Sequence, residues 1–133
     1  MATDDCIFCK IIKGEMASRK LIETDDVIGI LDILPATEGH CLIIPKRHVK
    51  YWNEMTYRET AQVFNIAKKV AVRLKKALRS DYVCMFIRGG RVKHTHVVLF
   101  PSYEGDKLTG FPQSALGTPK IDLDRSLNKL KEG

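Results

Sequence analysis

From Thr56 to Arg79 the chain holds one long stretch at helical period, flanked on both sides by short apolar runs too brief for helices. Thr56-Tyr57-Arg58-Glu59 is a capping box, in which hydroxyl and carboxylate each accept a backbone N–H at the helix start. Behind it Val63, Ile66, Ala67, Val70, Ala71, Leu74, Ala77 and Leu78 recur on one face. Lys68, Lys69, Arg73, Lys75, Lys76 and Arg79 load the later half, where cations match the negative end of the helix dipole. A single amphipathic helix of this kind has to pack on something else.

The short runs supply it. Residues 20–24 and 27–31 are apolar and β-branched about an Asp25-Asp26 turn, and predict an antiparallel hairpin. Residues 40–45 predict a third strand stopped by Pro45, and residues 83–87 a fourth. A turn at Arg88-Gly89-Gly90-Arg91 leads into a fifth strand over residues 92–100. Residues 6–12 predict a short buried helical turn, residues 102–119 a Gly- and Pro-spaced loop, and residues 122–131 a short amphipathic helix. The order predicts an α+β domain: a five-stranded, mainly antiparallel sheet covered on one face, with one long helix and short peripheral helices.

With 133 residues, 44% of them hydrophobic, the chain is long enough for one core, and residues 1–133 are expected to form a single domain. No apolar run approaches the about 18 residues that span a bilayer, and the first residues lack a basic head with an apolar run. A soluble cytoplasmic protein with no membrane association is the expectation. The net charge of +6 favours anionic ligands without naming one. A nucleic-acid role is the weaker alternative: the helix is basic and the pI is near 9.2, but the aromatics are scattered and form no stacking platform.

Four cysteines are too few for a disulfide scaffold. Cys41 and Cys84 sit in apolar runs and read as core, whereas Cys6-x-x-Cys9 is half of a tetrahedral zinc site that two histidines could complete. A thioredoxin-like redox pair is the rival, but it wants a strand before and a long helix after, and this pair lies at the amino terminus. Two of the four histidines, His94 and His96, fall on one side of the predicted fifth strand with Val98, roughly 7 Å apart at about 3.3 Å per residue, so both could address one small anion or metal. A neutral imidazole can attack phosphorus, relay a proton or bind zinc.

His94-Thr95-His96-Val97-Val98-Leu99-Phe100 resembles the signature of the histidine triad superfamily, His-x-His-x-His followed by apolar residues. The likeness extends to Cys6 through Ile12, Asp32 through Pro35, Gly39-His40, and Ile43-Ile44-Pro45-Lys46-Arg47-His48, covering about residues 6–101. It implies a five-stranded antiparallel fold, homodimeric through the long helix and an adjoining strand, with residues 102–133 a variable carboxy-terminal extension.

The resemblance also implies chemistry. His96 would attack the α-phosphate of a purine nucleotide derivative and carry a covalent nucleotidyl intermediate, oriented by the carbonyl of His94, with His40 beside the same phosphate. Asp32 would hold the ribose hydroxyls, and Phe8, Ile11, Ile33 and Leu42 the base. Read alone, Asp32 is a turn or strand-end aspartate capping backbone amides, and the four apolar residues are equally core. Some family members bind zinc at positions matching Cys6, Cys9, His48 and His94, a structural ion, one per chain.

Two departures stand out. Val98 replaces a hydrogen-bonding third triad residue, and Gly90-Arg91 takes the place of the usual polar pair before the motif, where Arg91, Arg88 or Lys93 could supply positive charge to phosphate. What the resemblance implies is a nucleoside phosphoramidate or dinucleoside polyphosphate hydrolase or transferase. The alternative is a zinc-stabilised nucleotide-binding or interaction module with little turnover.

Overall fold

The computed structural model describes residues 5–106 and 121–132. Five strands, β1 (Lys20–Glu23), β2 (Val27–Leu31), β3 (Cys41–Pro45), β4 (Tyr82–Phe86) and β5 (Val97–Ser102), form one antiparallel sheet in the order β1-β2-β3-β5-β4. Among the described residues three α-helices accompany them: α1 (Ile7–Ile12), α2 (Tyr57–Leu78) and α3 (Leu123–Glu132). The α+β antiparallel architecture expected from the element order is the one observed. Most of the expected loop at 102–119 lies outside the described residues, while α3 stands one residue on from the expected 122–131.

The capping box forms as its residues dictate: Thr56 Oγ1 accepts from Glu59 N–H at 3.0 Å, and Glu59 Oε1 accepts from Thr56 N–H at 2.9 Å. Val63, Ile66, Ala67, Val70 and Leu74 of α2 are buried against β2, β3 and β5, joined by Leu130 of α3. Each fully buried aliphatic of this row contributes about 1.5–3 kcal/mol, which fixes which face of α2 meets the sheet. The helix stops at Leu78 because Arg79 takes the left-handed conformation, φ 51°.

The second face of the sheet is also covered, which the expectation of one covered face missed. Every residue of β2 and β3 is buried, a pattern that requires apolar partners on both sides. Ile28, Ile30, Leu42, Ile44, Val98 and Phe100 point away from α2 and pack under α1 through Cys6, Phe8, Cys9 and Ile11.

The expected fifth strand over 92–100 starts only at Val97. Continuing its register with β3, in which Ile43 faces Val97, would set Pro45 opposite Thr95, and proline has no N–H for the ladder. The preceding residues bond elsewhere: Thr95 N–H and Oγ1–H both donate to the Val49 carbonyl, at 2.7 and 2.8 Å. The segment from residue 87 to 96 is consequently a shaped loop rather than a turn and a strand.

Candidate functional site

Cys6 caps α1, its Sγ accepting from Cys9 N–H at 3.4 Å, so the single turn of helix brings both thiols to one side. Opposite them stand His94 from the loop before β5 and His48 from the segment after β3. Cys6 Sγ lies 3.3 Å from His94 Nδ1, and Cys9 Sγ lies 3.2 Å from His48 Nδ1 and 3.5 Å from His94 Nδ1. All four donor atoms fall within 4.8 Å of one another, in a set that could hold a metal ion. The outer nitrogen of His94 is also engaged, Nε2–H donating to the Pro45 carbonyl at 2.8 Å, which turns Nδ1 toward the thiols. Burial lowers the pKa of His94 to about 4 and, in the same direction, that of His48, so both rings are neutral donors at neutral pH.

His96 turns the other way. Its Nδ1–H donates to the His94 carbonyl at 2.8 Å, leaving the Nε2 lone pair as the available nucleophile. The ring lies 5.1 Å from that of Phe8, edge to face, and borders a cleft of about 290 Å³ between α1, the end of β2 and the 87–96 loop. The expectation that both strand histidines address one ligand is therefore corrected: His94 joins the thiols and His96 the cleft, because the backbone has left the strand before either is reached.

Asp32 and His40 close the cleft at the ends of β2 and β3. Asp32 Oδ1 accepts from Leu34 N–H at 2.9 Å, the turn-capping role, while Oδ2 lies 3.5 Å from His40 Nε2. His40 Nδ1 accepts from Ala36 N–H at 3.0 Å, which puts the imidazole proton on Nε2, toward Asp32. Burial lowers the His40 pKa more than the Asp32 charge raises it, keeping the ring neutral. Gly39 makes the approach: at φ +89°, its missing Cβ would lie 2.7 Å from Leu78 Cδ1.

Phe8, Ile11 and Leu42 are buried in the second cluster and also border the cleft, so the core and site readings both hold for them. Ile33 is 74% exposed and forms the lip, which removes the core reading there. Arg91 and Val98 line the same cleft, and Arg88 lines it as well. Sequence reasoning missed Met16 and Arg19, which border the cleft from the segment between α1 and β1. Nothing marks them locally, since it is the path of the chain past β2 that brings them there.

The chain matches a model described as the HIT domain over residues 13–105. It is 34% identical to an uncharacterised HIT-like protein of Methanocaldococcus jannaschii, over 95% of this chain and 98% of that one. It is 32% identical to the adenosine 5'-monophosphoramidase of Schizosaccharomyces pombe, over 87% of this chain and 90% of the relative. Among solved structures, that of a zinc-bound histidine triad family protein from Mycobacterium smegmatis superposes with a TM-score of 0.84 at 28% identity, covering 96% of this chain and 91% of that one. The sheet, the cleft and these likenesses agree: the chain belongs to the HIT family.

Proposed function

We propose that this chain is a nucleotidyl hydrolase or transferase in which His96 attacks the α-phosphate of a purine nucleotide derivative. The observation that carries the reading is the 2.8 Å hydrogen bond from His96 Nδ1–H to the His94 carbonyl beside the cleft. It holds the proton on Nδ1 in the neutral ring, and it stabilises the positive charge that develops when Nε2 bonds to phosphorus. As the Nε2–P bond forms, the bond from phosphorus to the leaving group breaks and that group departs with the electron pair, taking a proton from solvent. Water or another acceptor then attacks the same phosphorus, loses a proton, and releases His96 with the nucleotide.

In this reading His40 Nε2–H gives up its long 3.5 Å contact with Asp32 Oδ2 to donate to a non-bridging phosphate oxygen, and Asp32 then accepts from the ribose hydroxyls. Phe8, Ile11, Ile33 and Leu42 enclose the base, and Arg91 meets the phosphate chain. The phosphoramidase activity named for the fission-yeast relative makes an adenosine phosphoramidate the first substrate to try.

Zinc is the metal this reading assigns to Cys6, Cys9, His48 and His94. A tetrahedral zinc with bonds of about 2.0–2.3 Å separates its ligands by roughly 3.3–3.8 Å; the sulfur–nitrogen distances of 3.2 to 3.5 Å match, and the wider pairs, all within 4.8 Å, would close by about 1 Å at most. Four protein ligands leave no open position, so the ion would be structural, tying α1 to the loop before β5. We read residues 1–133 as one domain, with 102–133 an extension whose helix α3 packs on the core. We further assign a homodimer through α2 and β4, an edge strand whose Tyr82 and Met85 are exposed, and a cytoplasmic location, where thiols remain reduced for a metal. Among the described residues no helix is long and apolar enough to cross a membrane.

Val98 favours a second reading, a zinc-stabilised nucleotide-binding module with little turnover. It stands at the third triad position, lines the cleft, and can donate no hydrogen bond to phosphate. Intact mass after mixing with adenosine phosphoramidate and acid-quenching at early times separates the two. The enzyme reading expects an adenylate adduct that disappears in His96→Ala. Nucleotide binding with neither adduct nor turnover, across phosphoramidate and dinucleoside polyphosphate substrates, would leave the binding module.

A further inference from the structure

Helix α3 reaches two parts of the cleft from behind. Its apolar side, Leu123, Leu127 and the fully buried Leu130, sits in the main core beside α2 and β1. Its polar side bonds forward. Asp124 Oδ1 accepts from Arg19 Nε–H at 2.8 Å, and Arg19 borders the cleft. Ser126, fully buried although a serine, lies with its Oγ 2.8 Å from Glu38 Oε2 and 3.1 Å from the Asp122 carbonyl. A hydroxyl has one proton, and the shorter contact to a carboxylate is the stronger acceptor. Lys129 Nζ adds a second donor to Glu38, 3.3 Å from Oε1.

Glu38 stands two residues before His40, in the loop that wraps the imidazole. Within that loop His40 N–H donates to the Thr37 carbonyl, and Ala36 N–H donates to His40 Nδ1. The second of these bonds fixes the His40 tautomer, and it survives only while residues 36–40 keep their path. Gly39 leaves no slack at the back of the loop, since it lies against Leu74 and Leu78. The carboxylate of Glu38, anchored by two side chains of α3, is the tether on the outer side.

We propose that Glu38 and Ser126 are positioning residues: α3 clamps the 36–40 loop through the Ser126–Glu38–Lys129 cluster and thereby holds His40 as the Nε2–H tautomer facing the cleft. The effect on turnover rests on the histidine mechanism proposed above. The tautomer does not, and can be read without any substrate.

The test is two-dimensional ¹H–¹⁵N NMR of the imidazole nitrogens in the full chain, beside steady-state turnover of adenosine phosphoramidate. In the wild type His40 should show a single Nε2–H form. Glu38→Ala and Ser126→Ala should each give a mixture of His40 tautomers and lower kcat about 10-fold with KM changed less than threefold, while His96 keeps its own signature. Ser126→Thr, which retains the hydroxyl, should restore the single tautomer and the rate. If Glu38→Ala folds poorly, Ser126→Ala and Lys129→Ala carry the same reading. An unchanged His40 tautomer in the folded variants overturns the clamp, whether or not the rate falls. A single Nε2–H form of His40 in a wild-type protein with no turnover, giving way to a mixture in the variants, would keep the clamp and sink the enzyme reading alone.

Discussion

His94 does two jobs with two different groups. Its ring joins the thiol pair while its carbonyl holds His96 Nδ1–H, so the candidate metal cluster and the orienting acceptor share one residue. Replacing Cys9 by serine should therefore loosen more than a metal shell. Metal analysis of protein purified without chelator should find about one zinc per chain, and Cys9→Ser should lose most of it. A site held at 100 times its dissociation constant adds about 2.7 kcal/mol, so the melting temperature of the variant should fall by roughly 10 °C. A metal-free wild type of equal stability refutes the zinc assignment. Val98 is the other residue on which the proposed chemistry turns. By comparison with the removal of one oxyanion-hole donor, its missing hydrogen bond is worth about 100- to 1000-fold in rate. Val98→His should raise phosphoramidate turnover at least 10-fold, and a rate that stays flat would move the limit to the loop carrying Arg88 and Arg91.

Helix α2 shows how an element's stability depends on its first turn. Glu59 completes the capping box and meets Arg47 in a two-pronged pair, Nε to Oε2 at 2.7 Å and Nη2 to Oε1 at 2.8 Å. The Arg47 guanidinium is the chief reason that the Glu59 pKa drops from its usual 4.5 to about 2. Its carboxylate stabilises the fold fully above pH 4.5, and that contribution is lost as pH falls through 2. Arg47 is half in solvent, so the pair is worth about 1 kcal/mol rather than what the shift alone implies. Glu59→Gln keeps an acceptor for Thr56 N–H but removes the charge. Urea unfolding should find it about 1 kcal/mol weaker at pH 7 and equal to the wild type near pH 2. Elements such as α2 were legible because period and cap agreed within one continuous stretch. The start of β5 was not: Val92 through His96 alternate as a strand would, and only the pairing of Pro45 opposite Thr95 says otherwise. That pairing is a long-range fact, carried by no residue between 92 and 100.

On the scale of the whole molecule, the sheet separates structure from chemistry. The face under α2 and α3 is closed by aliphatics, while the face under α1 is interrupted by a cleft, the thiol–imidazole cluster and two further histidines. Cys6, Cys9, His48 and His94 could be singled out because sulfur and imidazole are rare in this chain and their spacing matches the family signature. Arg19 and Glu38 could not. Their roles come from a carboxy-terminal helix that closes against the front half of the fold, and charged residues in turns give no sign of what lies across from them.

Pro45 carries a consequence of another kind. Backbone groups absorbed into a growing sheet are spent on rigidity, and the last positions to zip are those nearest the end of a strand. By stopping β3 where it does, the proline leaves the loop ahead of β5 outside the ladder, where the carbonyl of His94 accepts from a side chain and that of Pro45 accepts from another. The sheet is shorter than the apolar pattern around it would permit, and His94 and His96 occupy the length it gives up.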